Sequence, residues 1–318
     1  MLTNPLVSII IPCKDVDGYT RECIEYCKKL DYANFEIILL PDDDTKLIDG
    51  VRTIATGSVP PGVKRNIGVK NAGGTFCAFI DNDAYPRSDW LTSALKYFED
   101  ANVAGVGGPG LTPEANGLMQ KAGGYVLSSY VAGNLSSRNK TKTSFESDDI
   151  HSCNFIARKA VLEEAGGWNE KYWPGEDTLM CLAIKKLGKK LIMAFDVVVY
   201  HHRRSLFKPH LTQVSRFGEH RGFFFKKFPE NSAKLTYFFP SLIVLSLLAE
   251  VLLSFLFPFF VYILLLSAAT ILALSMVGAL MSVRTPKLVL LVWLGIILTY
   301  IVYGVFFLSG LAKRDLKR

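Results

Sequence analysis

The chain has 318 residues, half of them hydrophobic, and a formal net charge of +7 at pH 7. Its apolar residues are unevenly spread, since the only charged side chains from Pro240 to Gly310 are Glu250, Arg284 and Lys287. This pattern excludes a wholly soluble protein and indicates a soluble part followed by a membrane part. The residues before Pro240 are enough for one α/β domain with a sizeable core.

The positive charge is concentrated beside the apolar tail. Between Arg203 and Lys234 there are eight Lys or Arg residues against Glu219 and Glu230. Such a segment is typical of a cytoplasmic juxtamembrane region attracted to anionic lipid. No basic, aromatic RNA-binding signature accompanies it, so the sequence predicts no nucleic-acid partner.

Two short apolar runs near the N-terminus predict buried strands, one at residues 6–12 and the other at 35–40. Between them, Thr20 is expected to cap a helix that continues through Lys29. Strand, helix and strand form a βαβ unit, which implies parallel strands. In sheets of this kind, ligands bind beyond the carboxyl ends of the strands.

Charged residues follow each predicted strand. Lys14-Asp15 comes after the first strand, Asp42-Asp43 after the second, and Asp81-Asn82-Asp83 ends the apolar run 74–80. Carboxylate oxygens suit Mg²⁺ or Mn²⁺, and such a metal usually keeps open positions for the phosphates of a nucleotide. A solvated turn is the alternative for the triplet, because Asp and Asn favour turns.

Several segments of the soluble part stand in an order that is more specific than any one of them. They are Val7-Ser8-Ile9-Ile10-Ile11-Pro12, the acidic cluster after the second strand, Gly62-Val63-Lys64-Arg65-Asn66-Ile67-Gly68, Asp81-Asn82-Asp83, and Gly175-Glu176-Asp177 following Gly166-Gly167-Trp168. With these segments, residues 6–190 resemble the family 2 inverting glycosyltransferases. The resemblance implies an α/β GT-A nucleotide-sugar-binding domain with a Rossmann-like mixed sheet. It also implies a nucleoside-diphosphate sugar as donor, a UDP-sugar first of all, and a divalent metal, Mg²⁺ or Mn²⁺.

The resemblance also implies a donor site at the strand ends. Its expected residues are Pro12, Lys14, Asp15, Asp42, Asp43, Arg65 and Asp81. Pro41 stands where many members carry the first acid of an Asp-Asp pair, so either Asp42 or Asp43 meets the nucleobase. The fixed fork of Arg65 suits phosphate or a neighbouring carboxylate, and a helix-surface arginine is the alternative. A metal on Asp83, assisted by Asp81, is expected to neutralise the departing diphosphate.

A second pair of acids opens a predicted helix. Glu176 and Asp177 precede the apolar run 178–184, and Lys185 and Lys186 close it, as is typical of a helix that complements its own dipole. A capping role worth less than about 1 kcal/mol is one interpretation. The other is a general base, because inverting transfer needs a carboxylate that takes a proton from the acceptor hydroxyl. The resemblance implies that Asp177 is this base and that Glu176 orients the acceptor or supports the loop.

Two adjacent histidines, His201 and His202, follow a predicted strand at 197–200. At a sheet end in the same layer as Asp81 and Asp83, one of them is a candidate third metal ligand, and polar surface is the alternative. Strand alternation decides which one faces the site, but the sequence does not fix the register.

Residues 205–236 predict a basic amphipathic juxtamembrane segment. Apolar residues recur near helical spacing from Phe207 onward with basic residues between them, which indicates an interfacial helix that either continues or breaks at Gly218 or Gly222. A helix packed on the catalytic domain is the alternative.

One short motif lies inside this segment. Gln213 and Arg216 resemble part of the Gln-x-x-Arg-Trp motif of membrane-embedded family members that build polysaccharides, with Phe217 in place of Trp. The two polar residues are three apart and share a helix face. We therefore expect them to close over the donor diphosphate and the acceptor.

Three apolar stretches follow, at roughly 241–257, 259–282 and 288–310. The last two are long enough to span a bilayer, whereas the first is short and carries Glu250. Pro258 is expected to break the chain between the first and second stretches. The sequence thus predicts two or three transmembrane helices.

The expected domains are a GT-A domain at 1–204, the juxtamembrane segment at 205–236, a transmembrane region at 237–311 and a basic tail at 312–318. The N-terminal apolar run is brief and lacks a basic flank, so no signal peptide is expected. We therefore predict a multi-pass protein of the cell (inner) membrane whose catalytic domain faces the cytoplasm. The basic tail also favours the cytoplasm, which three spans would not allow, so the number of spans stays open.

The function expected from these observations is transfer of a sugar, with inversion, to a membrane-associated acceptor in polysaccharide or glycoconjugate biosynthesis. The acceptor is a lipid-linked saccharide or a glycolipid. A polyprenyl-phosphate glycosyltransferase is an alternative that needs no base, because a lipid phosphate is already ionised. A non-catalytic membrane scaffold would bind neither nucleotide nor Mn²⁺. A dinucleotide-dependent oxidoreductase needs a Gly-rich turn after the first strand, which Pro12-Cys13-Lys14-Asp15 does not provide.

Overall fold

The computed structural model describes residues 4–44, 47–129 and 143–316. These residues fold into two compact units. The first unit contains the chain up to Pro113 together with 140–202, and the second contains 114–139 together with the chain from Arg203 onward. The predicted boundaries at 204, 236 and 311 stay predictions, and the last two residues of the predicted basic tail lie outside the described residues.

A mixed β-sheet is the frame of the first unit. The strands, in chain order, are β1 (Val7–Pro12), β2 (Phe35–Leu40), β3 (Arg52–Thr53), β4 (Phe76–Ile80), β5 (Ala84–Pro86), β6 (Val103–Gly107), β7 (Gly110–Leu111), β8 (Phe145–Glu146), β9 (Asn154–Arg158), β10 (Lys190–Met193) and β11 (Val199–His201). Within the described residues, the larger sheet has the order β3-β2-β1-β4-β9-β6-β10-β8, and β5, β11 and β7 form a smaller one. β1 is parallel to both β2 and β4, whereas β9 runs antiparallel to β4 and β6. The predicted mixed α/β sheet is confirmed.

The sequence of β1 explains why this strand is central. All six of its residues are buried, and successive side chains point to opposite faces of a strand. Ile9 and Ile11 join the hydrophobic cluster on one face of the sheet, and Ile10 joins the cluster on the other. A strand with apolar side chains on both faces needs cover on both sides, which helices provide.

The helices, in chain order, are α1 (Gly18–Cys27), α2 (Pro61–Asn71), α3 (Trp90–Leu95), α4 (Leu118–Ser128), α5 (Lys159–Glu164), α6 (Glu176–Lys186), α7 (Lys208–Lys227), α8 (Pro229–Ser232), α9 (Leu235–Leu256), α10 (Phe259–Ser282) and α11 (Pro286–Ala312). The predicted cap of α1 was wrong. Asp17 is the cap, and its Oδ1 accepts a hydrogen bond from the backbone N–H of Thr20 at 2.8 Å. The helix ends at Cys27 and not at Lys29.

The second unit contains α4 and α7 to α11. Among the described residues, α9, α10 and α11 are long and apolar enough to cross a membrane. α9 begins at Leu235, earlier than the predicted stretch, and its 22 residues include Pro240. The first apolar segment is therefore longer than the sequence indicated, and Pro258 separates it from α10 as predicted.

α7 lies side by side with α11 within the second unit. It runs unbroken through Gly218 and Gly222, so the break that the sequence allowed for is not observed. The two helices run parallel. His210, near the start of α7, contacts Thr299, and Lys226, near its end, contacts the carbonyl of Leu311. The apolar face that we assigned to a lipid surface thus packs in part against a helix of its own unit.

Candidate active site

Asp81, Asp83 and His201 meet at the edge of the sheet of the first unit. Asp81 follows β4 directly, and Asp83 precedes β5. β11 pairs antiparallel with β5 in a register that sets His201 opposite Ala84, which brings the imidazole next to Asp83. One ligand atom from each of the three residues lies within 4.8 Å of the others, and His201 Nε2 is 3.0 Å from Oδ1 of Asp83.

The donor set of this cluster fits a divalent metal. Carboxylates suit Mg²⁺ or Mn²⁺, and imidazole is a common ligand of divalent transition metals. Burial would lower the pKa of His201, but the neighbouring Asp83 carboxylate outweighs burial and raises that pKa to about 10. A bound cation would take the place of that proton. The second predicted histidine, His202, lies elsewhere, with Nε2 2.7 Å from Oε2 of Glu22.

Arg65 connects the candidate metal site, formed by Asp81, Asp83 and His201, to the acids Glu176 and Asp177. It stands on α2 and is buried, with 3% of its surface exposed. Nη2 lies 3.1 Å from Oδ1 of Asp81, and Nη1 lies 2.8 Å from Oε1 of Glu176. The guanidinium carbon also lies 5.0 Å from the centre of the Trp168 ring. Of the partners that the sequence suggested for Arg65, the structure thus shows carboxylates.

Glu176 and Asp177 form the first turn of α6, as the sequence predicted. The turn into the helix is made by Gly175, whose φ of 117° few residues with a side chain adopt. Oδ1 of Asp177 accepts a hydrogen bond from the backbone N–H of Thr178 at 2.8 Å.

The surroundings of these two acids separate their pKa values. Burial raises the pKa of Glu176 to about 7, and the Arg65 guanidinium opposes this rise. Burial acts in the same sense on Asp177, but hydrogen bonds from His151 and the Thr178 N–H, with the charge of Arg65, hold the pKa of Asp177 well below its usual value. Asp177 is therefore a carboxylate at neutral pH.

His151 is a site residue that the sequence did not predict. Its Nδ1 lies 3.3 Å from Oδ2 of Asp177, and the two residues are 26 positions apart. The only local signal is a polar residue between the buried Ile150 and strand β9. That signal does not distinguish a site residue from an ordinary loop histidine.

Most of the predicted donor residues lie at or just beyond the ends of strands β1 and β2. Pro12 ends β1 and is buried, and Lys14, Asp15 and Asp43 are exposed beyond the strand ends. The carbonyl of Lys14 accepts a hydrogen bond from the backbone N–H of Asp42 at 3.0 Å. Their contact with a nucleotide stays a prediction. Gln213 and Arg216 belong to α7 in the second unit, and their part in donor binding likewise stays a prediction.

The comparisons with known proteins identify the family of the chain. A family model described as glycosyl transferase family 2 matches residues 8–166, which is 159 of 318 residues and thus half of the chain. A dolichyl N-acetyl-alpha-D-glucosaminyl phosphate 3-beta-D-2,3-diacetamido-2,3-dideoxy-beta-D-glucuronosyltransferase of Methanococcus voltae is 24% identical over 241 residues, covering 70% of this chain and 74% of that protein. The glycosyltransferase AglE of Haloferax volcanii is 24% identical over 217 residues, covering 64% of this chain and 68% of that protein.

A solved structure resembles the whole chain. The mannosyltransferase PcManGT from Pyrobaculum calidifontis, solved in complex with GDP-Man and Mn²⁺, has a TM-score of 0.57 to this chain at 16% sequence identity. The match covers 99% of this chain and 89% of that one. It shows a GT-A-like fold.

Proposed function

The chain belongs to glycosyl transferase family 2 and is a glycosyltransferase, and we propose that it moves a sugar from a nucleoside-diphosphate sugar, with inversion, to a hydroxyl of a membrane-associated acceptor. The acceptor that we propose is a lipid-linked saccharide or a glycolipid. Its product belongs to polysaccharide or glycoconjugate biosynthesis.

The bridge made by Arg65 carries this proposal. One guanidinium contacts Asp81 of the metal cluster and Glu176 beside the base candidate. Inverting transfer needs these two chemistries on opposite sides of one sugar carbon, namely stabilisation of the leaving diphosphate and removal of the acceptor proton. A buried residue that ties the two sides together supports a single site for both.

The proton moves to Asp177 in the proposed mechanism. As the acceptor oxygen attacks the anomeric carbon, its O–H proton passes to the Asp177 carboxylate, and the bond from that carbon to the diphosphate oxygen breaks. The configuration at the carbon inverts, because attack and departure occur on opposite faces. Glu176 is buried and paired with Arg65, so we assign it to orienting the loop and the acceptor and not to proton transfer.

The cluster of Asp81, Asp83 and His201 would hold the divalent metal, for which we propose Mn²⁺ before Mg²⁺ because of the imidazole. When bound, the metal supplies charge neutralisation for the departing diphosphate. Arg65 keeps Asp81 in place as one ligand, and β11 presents His201.

The membrane-length helices support the acceptor class. α9, α10 and α11 suggest association with a membrane, and a lipid-borne acceptor gives a reason for it. The name of the Methanococcus voltae relative describes a dolichyl-phosphate-linked acceptor, which is consistent with this class. We propose the cell membrane, with the first unit on the cytoplasmic side where nucleotide sugars are made.

Product analysis tests the proposal. Detergent-purified protein is incubated with Mn²⁺, a panel of nucleoside-diphosphate sugars and a membrane lipid extract. The expected product is a glycosylated lipid whose new anomeric configuration is opposite to that of the donor. A product with retained configuration would refute inversion. Transfer to a polyprenyl phosphate by an Asp177→Asn variant at the wild-type rate would favour the lipid-phosphate alternative.

A further inference from the structure

His151 sits on a loop that is fastened to α6 by successive contacts. The backbone N–H of Ile150 donates to Sγ of Cys181 at 3.3 Å, and Oγ1 of Thr178 donates to Asp149 at 3.2 Å. Lys185 also pairs with Asp148. The loop therefore runs along α6 and delivers the next residue, His151, to the helix end that bears Asp177.

The two nitrogens of the imidazole differ in their hydrogen bonding. Nδ1 lies 3.3 Å from Oδ2 of Asp177, whereas Nε2 is buried without a hydrogen-bond partner among the described residues. A carboxylate accepts only, so Nδ1 carries the proton in this contact.

Each carboxylate oxygen of Asp177 accepts one hydrogen bond, and the two donors come from different parts of the chain. Oδ1 receives the backbone N–H of Thr178 from α6 itself, and Oδ2 receives the imidazole from the loop. Two donors fix the plane of the carboxylate, and with it the lone pairs that remain for a proton. The other charged groups that bear on Asp177 are Arg65 on α2 and its neighbour Glu176.

We propose that His151 is a positioning residue for the base: its Nδ1–H donates to Oδ2 of Asp177 and fixes the carboxylate lone pair that takes the proton of the acceptor. This inference rests on the proposed function, because it needs Asp177 to be the base. His151 does not touch the donor in this scheme, so its effect belongs to the transfer step.

A set of variants tests the proposal in the full-length, detergent-purified protein. His151→Ala should lower kcat about 10- to 100-fold through misplacement of the base, while the dissociation constants for Mn²⁺ and for the nucleoside diphosphate stay within about twofold. His151→Asn keeps an N–H donor near the position of Nδ1 and should restore most of the rate. His220→Ala, which replaces a histidine of α7 that contacts the carbonyl of Arg216, is the matched control and should keep the wild-type rate.

Two further readouts separate positioning from a merely structural role. In His151→Ala the Asp177 carboxylate loses a donor, so the decline of kcat on acidification should begin at a higher pH than in the wild type. In an Asp177→Asn background, adding His151→Ala should change the rate by less than about threefold, because residues that act as a unit are not additive.

The outcomes distinguish this inference from the proposed function. A wild-type rate and pH profile in His151→Ala, or losses that multiply in the double variant, would overturn the role of His151 alone. If Asp177→Asn retains the wild-type rate with a hydroxyl acceptor, the proposed base is wrong and the role of His151 falls with it. If His151→Ala unfolds, His151→Leu, which fills the space of the imidazole but has no N–H donor, and its double variant with Asp177→Asn carry the same comparison.

Discussion

The ammonium of Lys64 lies 2.5 Å from Oδ1 of Asp42 and holds the ends of two strands together. Its Nζ also donates to the carbonyls of Cys13 and Leu40, at 2.7 and 3.1 Å. These carbonyls follow β1 and end β2. With 4% of its surface exposed, Lys64 is a buried charge whose three acceptors keep it satisfied. Its bond and its charge also lower the pKa of Asp42, against the effect of burial.

The first prediction concerns this clamp. Lys64→Met should destabilise the protein by about 3–5 kcal/mol, because it leaves the partly buried Asp42 carboxylate and two carbonyls without their donor. Affinity for a nucleoside diphosphate should fall as well, since the nucleotide is expected to bind at Asp42 and at the carboxyl ends of β1 and β2. Thermal unfolding and calorimetric titration check the two effects. Lys70→Met, at the exposed end of α2, is the control, and equal behaviour of the two variants would contradict the role of Lys64.

The second prediction concerns the metal cluster. Asp83→Ala should abolish transfer and remove the Mn²⁺ dependence of nucleotide binding, because it deletes one of three candidate ligands and the partner of His201. Calorimetry with a nucleoside diphosphate, with and without Mn²⁺, measures the change. Asp49→Ala, which replaces an exposed acid, should behave as wild type. Unchanged Mn²⁺-dependent affinity in Asp83→Ala would remove Asp83 from the metal site.

How far the sequence predicted the site depends on the range of the contacts involved. Asp81 and Asp83 were predicted because a strand end is a local feature, readable from the apolar run before them. Between His201 and His202 the sequence left a choice, since the histidine that lies beside Asp83 is set by the pairing of β11 with β5, two strands more than a hundred residues apart. Lys64 and His151 received no role, because each depends on partners brought near only by the folded sheet and α6.

In the second unit, the sequence pattern of α7 predicted the helix but not its packing partner. The amphipathic pattern of α7 predicted a helix with an apolar face, and that much is observed. The pattern does not say what covers the face. Gly218 and Gly222 suggested a break because glycine weakens helices, but in the structure they lie where α7 meets Tyr303 and Phe307 of α11. Their small size serves close packing.

The third prediction separates chemistry from binding. Asp177→Asn should lower kcat by about 10²-fold or more, because general-base catalysis acts on the transition state, while donor affinity changes little. Steady-state kinetics with a hydroxyl acceptor, together with a binding titration for the nucleoside diphosphate, test this. The control is Asp49→Asn. A parallel loss of donor affinity would instead place Asp177 among the donor ligands.

The fourth prediction follows from the pKa of Asp177, which is held below its unfolded value of about 3.9. A depressed carboxyl pKa stabilises the fold above the unfolded pKa, and this contribution is lost as the pH falls toward the native value. The asparagine in Asp177→Asn has no group that titrates in this pH range. The stability difference between the wild type and Asp177→Asn should therefore be fully present at about pH 5 and shrink as the pH falls to about 3.

Unfolding midpoints of both proteins in detergent, measured across this pH range, give the comparison. Groups far from Asp177 titrate equally in the two proteins and cancel in the difference. The comparison is made below pH 5 because Glu176, whose pKa of about 7 is raised in part by Asp177, does not cancel. A difference that stays constant on acidification would mean that the donors of Asp177 do not favour its charged form.

The last prediction concerns the packing of α7 on α11. A side chain at Gly222 would overlap the carbonyl oxygen of Phe307, and one at Gly218 would lie 2.7 Å from the carbonyl oxygen of Tyr303. Backbone atoms of a packed helix cannot yield as a flexible side chain can. Gly222→Ala should therefore destabilise the second unit by about 1–3 kcal/mol, although alanine is the better helix former.

Gly18→Ala is the matched control, because Gly18 also lies in a helix and a Cβ there meets nothing within 4 Å. It should leave stability unchanged or raise it by up to about 1 kcal/mol. Thermal unfolding in detergent and the rate of proteolysis within the second unit measure both variants. Helices that meet through glycine approach closely, as small residues allow in membranes. If Gly222→Ala is as stable as Gly18→Ala, α7 and α11 are not in close contact, and the apolar face of α7 is free to meet lipid.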